Sequence, residues 1–366
     1  MNWMKRHLIY INMVWASMLL LGSCTSESGT GTPDVTPVVS TTGGQTLASQ
    51  PVPTTQDEIT FNVTGEWEQE ANTRASFITS DGDLQSKDIT VYGYFNGSSP
   101  YRNCFYSNMR YSSSTWKFID GSGDQVHFYW PIEGSVHTAS STTVSSLDFF
   151  GLCPATPPSY IRGFTPNPTG PIIDCNSLPV TSAGQATLDE FLYAYTQGQT
   201  YADQVSAGGA IPLEFKHPFA KITLQLKTSH RAIYNLNTIK FKGIKNNGTF
   251  TYANNPQWVT SGDNTDLTIT LNAGISADED FTSAQITTMN LPFIVLPQSL
   301  TATNQIEINL TWNNGDSEST YTFDNPVSSW QSGRSYNYTL DLLEEIKFTV
   351  TIDNWTAEES NRNIRF

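Results

Sequence analysis

The chain has 366 residues, room for roughly two domains at ~150 residues each. Lys and Arg total 19 against 34 Asp and Glu, a formal net charge of -15, which excludes a protein that holds nucleic acid by bulk positive charge. Charged residues are only 14 % and aromatics 12 %, with Ser, Thr, Asn and Gly filling the rest, the composition of an exported β protein.

Residues 1-23 read as a secretory signal. Lys5 and Arg6 form a positive start, Leu8 to Leu21 is mostly apolar, and small residues follow at Gly22 and Ser23. Leu21-Gly22-Ser23-Cys24 resembles a bacterial lipobox, in which Cys24 becomes the lipid-modified first residue of the mature chain. The expected location is therefore the outer membrane surface, held by lipid. Residues 24-56 are Ser, Thr, Gly, Pro and Gln with few large apolar side chains, too little to offset the entropy of ordering, and read as a flexible tether.

Short runs alternating at period 2 then begin. Ile59, Phe61 and Val63 form the first, Ile89 to Phe95 the next, and Trp116 to Phe118 and Val126 to Pro131 continue the pattern. Seven prolines between Cys153 and Val180 predict a long surface loop there, and a helical turn is expected near Thr187 to Phe191. A second set of strands starts at Ile211 and includes Ile239 to Ile244, Leu267 to Leu271, Phe293 to Leu296, Ile306 to Leu310, Ser335 to Leu340 and Ile346 to Ile352. The expectation is an all-β chain of two antiparallel sandwiches in tandem, 57-205 and 206-366. Three cysteines besides Cys24 remain. A Cys153–Cys175 disulfide across the Pro-rich stretch is the expected pairing, with buried free thiols as the alternative.

The segment Leu213-Glu214-Phe215-Lys216-His217-Pro218-Phe219-Ala220-Lys221-Ile222 resembles a strand of the fimbrillin-like proteins, the type V pilin superfamily of Bacteroidales. The lipobox, Thr73-Arg74-Ala75, the Tyr129-Trp130-Pro131 turn and the closing Val350-Thr351-Ile352-Asp353-Asn354-Trp355 agree with it in order. The resemblance implies two transthyretin-like sandwiches and a fimbrial subunit whose partners are other pilin subunits. A protease would cut between Arg74 and Ala75 and remove the strand carrying Ile59, Phe61 and Val63. A strand of another subunit would then fill the opened groove. His217 is expected to be a buried or hydrogen-bonded structural residue, and Ile346 to Phe366 the donor or closing strand.

Catalysis is not expected. The sequence has no G-x-S-x-G, H-E-x-x-H or G-x-x-x-x-G-K-[ST] pattern, and no cofactor is implied. The competing reading is a lipid-anchored, non-polymerising surface protein that binds carbohydrate through exposed aromatic rings. Its candidates are Trp258 and Trp330, with Trp67 and Trp312 also in polar, loop-like sequence. Tryptophans that fill sandwich cores are the alternative explanation.

Overall fold

The computed structural model describes residues 57–67, 77–131, 146–227, 234–252, 256–270, 292–312, 318–341 and 347–354. Cys24, the tether, Arg74 and Ala75 lie outside the described residues, as do 355–366.

The first half contributes β1 (Phe61–Gly65), α1 (Asp81–Gln85), β2 (Ile89–Phe95), β3 (Asn103–Ser112), β4 (Thr115–Ile119) and β5 (Leu147–Cys153). They are followed by β6 (Ile161–Thr165), β7 (Ile172–Cys175), α2 (Ser182–Ala186), β8 (Leu192–Gln199), α3 (Tyr201–Ser206) and β9 (Ile211–Lys216). Seven of these strands form one sheet in the order β1-β9-β8-β5-β2-β3-β4. Its central strand β5 is buried along its whole length because both sheet faces are covered. Asp148 is tolerated there because Asn96 Nδ2, Tyr101 Oη and the Gly198 N–H donate to its carboxylate at 2.6, 2.7 and 2.7 Å. Gly151 on the same strand is required by close approach, since a Cβ would sit 2.8 Å from the Phe215 ring.

The remaining strands are β10 (Ala220–Lys227), β11 (Tyr234–Ile244), β12 (Asn247–Thr251), β13 (Gln257–Ser261), β14 (Thr265–Thr270) and β15 (Phe293–Val295). After them come β16 (Gln298–Ser299), β17 (Ile306–Trp312), β18 (Glu318–Phe323), β19 (Ser329–Trp330), β20 (Arg334–Asp341) and β21 (Lys347–Asn354). Sheets β15-β10-β20-β21 and β14-β11-β17-β18 supply the two sides of one core, in which Ile222, Leu224, Tyr336 and Tyr338 meet Ile239, Phe241, Leu267 and Ile308. The protein is thus all-β, with its sheets predominantly antiparallel.

Three features depart from the sequence expectation. First, the Pro-rich stretch contains β6 and β7, which pair with each other and, through β7, with β12 in the sheet β13-β12-β7-β6. The prolines fall outside the ladder: Pro154, Pro157 and Pro158 precede β6, Pro166, Pro168 and Pro171 occupy the turn, and Pro179 follows β7. Ile173 and Phe250 bury this sheet against Leu152 and Tyr193 of the large sheet, making a second covered face. The short helix α2 precedes the expected turn, capped by the Thr181 side chain on the Gly184 N–H.

Second, sheet boundaries do not follow a division near residue 206. Strand β9 lies inside the first sheet between β1 and β8, and β12 and β13 join β6 and β7. Third, Cys153 and Cys175 are free thiols and the expected disulfide is not formed. Cys153 ends β5 and belongs to the core under the seven-stranded sheet, whereas Cys175 ends β7 and belongs to the core on the opposite side. Burial pushes both thiols up, Cys175 to about 12, so neither is held as a reactive thiolate.

Candidate functional site: an edge strand seated in a groove

The sequence places three apolar side chains at alternate positions before Arg74, and the structure seats them in one groove. Ile59, Phe61 and Val63 are 1, 6 and 5 % exposed, while Asn62 between them faces out. Phe61 packs edge to face on Phe149 at 4.9 Å and on Phe118 at 6.0 Å between ring centroids.

Strand β1 occupies the edge of the seven-stranded sheet and, among the described residues, has a single strand neighbour, β9, which it pairs in parallel from Phe61↔Ile211 to Gly65↔Phe215. Just before it, the chain is held on the other side. The Ile59 N–H donates to the Phe128 carbonyl at 2.7 Å, and the Trp130 N–H donates to that of Asp57 at 3.0 Å. Parallel pairing at an edge is unusual in a largely antiparallel sheet, and it arises because the chain enters this edge from a non-adjacent element.

A polar clasp fixes the entry of the strand. Gln204 on α3 accepts from the Thr60 N–H at 3.3 Å and from Trp130 Nε1 at 2.9 Å, and its Nε2 donates to the Glu58 carbonyl at 2.8 Å. Tyr201 Oη donates to Asp57 at 2.9 Å, and His127 Nδ1 lies 2.8 Å from Glu58 Oε1. The exit is held by Lys216 Nζ, which reaches Glu66 at 2.6 Å and Glu214 at 3.3 Å. Burial depresses the Lys216 pKa, but its hydrogen bonds and charge pairing with Glu66 and Glu214 outweigh that, and the net shift is upward. Gln204 belongs to no functional motif of the sequence. The Thr200-x-x-Asp203 capping box that starts its helix was a legible signal, because both reciprocal bonds of that motif form.

The connection from β1 to Phe77 passes through residues 68–76, so Arg74 and Ala75 fall in the chain between the edge strand and the rest of the sheet. A cut there would leave β1 attached to the sheet by non-covalent contacts alone.

The remaining candidates separate by burial. His217 is 4 % exposed with Nδ1 2.8 Å from Glu190 Oε1, and Glu190 Oε2 also accepts from the Ile78 N–H at 2.8 Å. His217 therefore ties β9 to the segment that follows residue 76. Trp330 is 2 % exposed, donates to Tyr338 Oη at 3.0 Å and packs on Phe241, so it is a core side chain and not a platform for a sugar. Trp258 is half-buried, donates to the Pro218 carbonyl at 2.6 Å and stacks on Phe219 at 5.2 Å. Trp67 donates to Asp81 at 2.6 Å, and the side chain of Trp312 lies outside the described ones.

Comparison with solved structures finds a likeness to a fimbrial protein from Bacteroides vulgatus ATCC 8482, with 14 % identity, a TM-score of 0.54, and coverage of 81 % of this chain and 99 % of that one. The C-terminally truncated tip fimbrial protein Mfa3 from Porphyromonas gingivalis aligns at 11 % identity and a TM-score of 0.39, over 80 % of this chain and 99 % of that one. Comparison with curated proteins returns no match. The fimbrillin-like family matches residues 73–355, most of the chain, and the chain belongs to that family.

Proposed function

We propose that this protein is a subunit of a cell-surface fimbrium that assembles by exchange of its first strand. In this reading residues 1-23 direct export, Cys24 carries lipid in the outer membrane, and residues 24-56 are the tether. Proteolysis between Arg74 and Ala75 then releases β1. Membership of a fimbrillin-like family supports a fimbrial, structural role without catalysis.

The observation that carries the mechanism is the seating of β1. It is an edge strand whose alternate side chains are buried and whose covalent link to the sheet runs through Arg74. Fully burying side chains of this kind contributes about 1.5–3 kcal/mol each. Loss of Ile59, Phe61 and Val63 would therefore leave an apolar groove that a free chain cannot keep exposed. Loss of β1 would also bare the β9 ladder edge. An incoming strand restores both by pairing its backbone with β9 and placing alternate apolar side chains where the three had been.

The test is Arg74→Ala expressed in the native host. The variant should reach the surface as monomer with β1 retained, and polymers at wild-type level would contradict the processing step.

A further inference from the structure

A second site borders the exit of β1, where Lys216 meets Glu66. A cleft of about 620 Å³ opens where the ends of β9, β13, the β16–β19 pair and the β19–β20 turn converge, within the size range of small-ligand pockets. Lys216, Trp258, Ser299, Ser329, Gln331 and Arg334 line it, and Glu66 is the carboxylate of its wall.

Charge here runs against that of the whole chain. At a net -15, the cleft wall presents two cations beside Glu66. Lys216 is balanced by Glu66 and Glu214, but no carboxylate among the described residues lies within 4.0 Å of the Arg334 guanidinium. The turn that carries Arg334 is fixed on both sides. The Gly333 N–H, at φ +64°, donates to the Phe219 carbonyl at 2.9 Å, and the Gln331 N–H donates to Tyr336 Oη at 2.9 Å. The Trp258 ring is pinned by Pro218 and Phe219, so the aromatic and cationic walls are both preorganised.

The polar groups suit a polyol. Ser299 and Ser329 face each other as paired residues of β16 and β19, and neither hydroxyl is taken by another described residue. Hydroxyls donate and accept, as sugar hydroxyls do, and carboxamides such as that of Gln331 offer both functions as well. A guanidinium forms its strongest pairs with a carboxylate, through two parallel N–H donors. We propose that this cleft binds a carboxylate-bearing saccharide, with Arg334 holding the carboxylate, the Ser299, Ser329 and Gln331 side chains meeting hydroxyls, and Trp258 forming the apolar wall. Removal of β1 would take Glu66 with it, so the cleft is tested in the Arg74→Ala chain, which keeps β1; a failure to bind saccharide there is distinguishable from a failure to polymerise.

The test is calorimetric titration of the chain from residue 24 onward in the Arg74→Ala form, which keeps Glu66, with 3′-sialyllactose and trigalacturonate as acidic probes, and lactose and maltotriose as neutral ones. At least one acidic probe should bind in the millimolar range or tighter, with the matched neutral sugar about tenfold weaker or undetected, and Arg334→Gln should weaken the acidic probe by about tenfold. Arg334→Lys, which keeps the charge and loses the fork, should fall between the two and guards against a folding defect in the glutamine variant. Failure of both acidic probes to bind at millimolar concentration would overturn the proposal. Equal binding of neutral sugars, or unchanged affinity in an Arg334→Gln variant of wild-type melting temperature, would do the same.

Discussion

Phe61 of the edge strand β1 meets Phe149 of the central strand β5 edge to face, with ring centroids 4.9 Å apart. The ring of a peripheral strand thus reaches the middle of the sheet's own core. In an ordinary edge strand such a contact would only stabilise the fold; here it lies in the one strand whose connection to the sheet carries Arg74.

Phe61→Ala should therefore act differently before and after assembly. In the unprocessed chain, for which Arg74→Ala serves as background, removal of a buried Phe should cost about 3–5 kcal/mol, read as a lower midpoint in urea. Assembled fimbriae, which have lost β1 in this account, should carry no trace of the change in their thermal resistance. Fimbriae weakened by Phe61→Ala would show that the strand stays.

Gln204→Leu tests the clasp. It removes the acceptor for the Thr60 and Trp130 N–H groups and the donor to Glu58, and each buried group left without a partner costs about 1–3 kcal/mol. Hydrogen exchange of the Thr60 and Phe61 amides should quicken in this variant before that of β5. Uniform acceleration across the sheet would mean that the clasp holds the whole fold and not the entry of β1.

The two tryptophans should part company. Trp330→Ala, in a core against Phe241 and Tyr338, is expected to cost about 3–5 kcal/mol. Trp258→Phe should cost far less in stability and should reduce saccharide affinity in the cleft, as measured by melting temperature and calorimetry on the same preparations.

Alkaline conditions should loosen the fold. Burial raises Cys175 to about 12 and moves Tyr193 and Tyr338 in the same direction. Each of these groups is easier to ionise in the unfolded chain, so its contribution to stability is complete below its unfolded pKa and is lost as pH climbs through the folded value. The urea midpoint should hold up to about pH 8 and fall steadily above it, since an unperturbed thiol titrates near 8.5. At pH 8 a thiol reagent should modify half-buried Cys104 well before Cys153 or Cys175.

Period-2 alternation made most of the strands legible, because each β position that faces a core must be apolar whatever its tertiary partner. It marks Ile59, Phe61 and Val63 as one face of a strand without reference to any groove. It could not disclose that β1 pairs in parallel with β9, since two alternating runs record which face is buried but not which strand is the partner or in which direction it runs. Proline density over a long window does not exclude strands. What counts is whether a proline falls on a ladder position, and the runs Ile161–Thr165 and Ile172–Cys175 have none. The Cys153–Cys175 pairing failed for a related reason. Sequence separation across a loop says nothing about which face of a sheet each thiol occupies, and these two point into different cores. Trp330 and Trp258 sit in similar polar sequence and both border the cleft, yet only packing distinguishes Trp330, sealed against Tyr338, from the less buried Trp258. The cleft itself is assembled from six separate stretches, and no local pattern announces Arg334.

In the proposed assembly β1 is removed and replaced. Its most direct test is the N-terminal sequence and mass of the protein sheared from cells, compared on denaturing gels with and without heating. A chain starting at Ala75 that runs as a ladder unheated and collapses to monomer on heating is the predicted result. A chain starting at acylated Cys24, monomeric under both conditions, would contradict it.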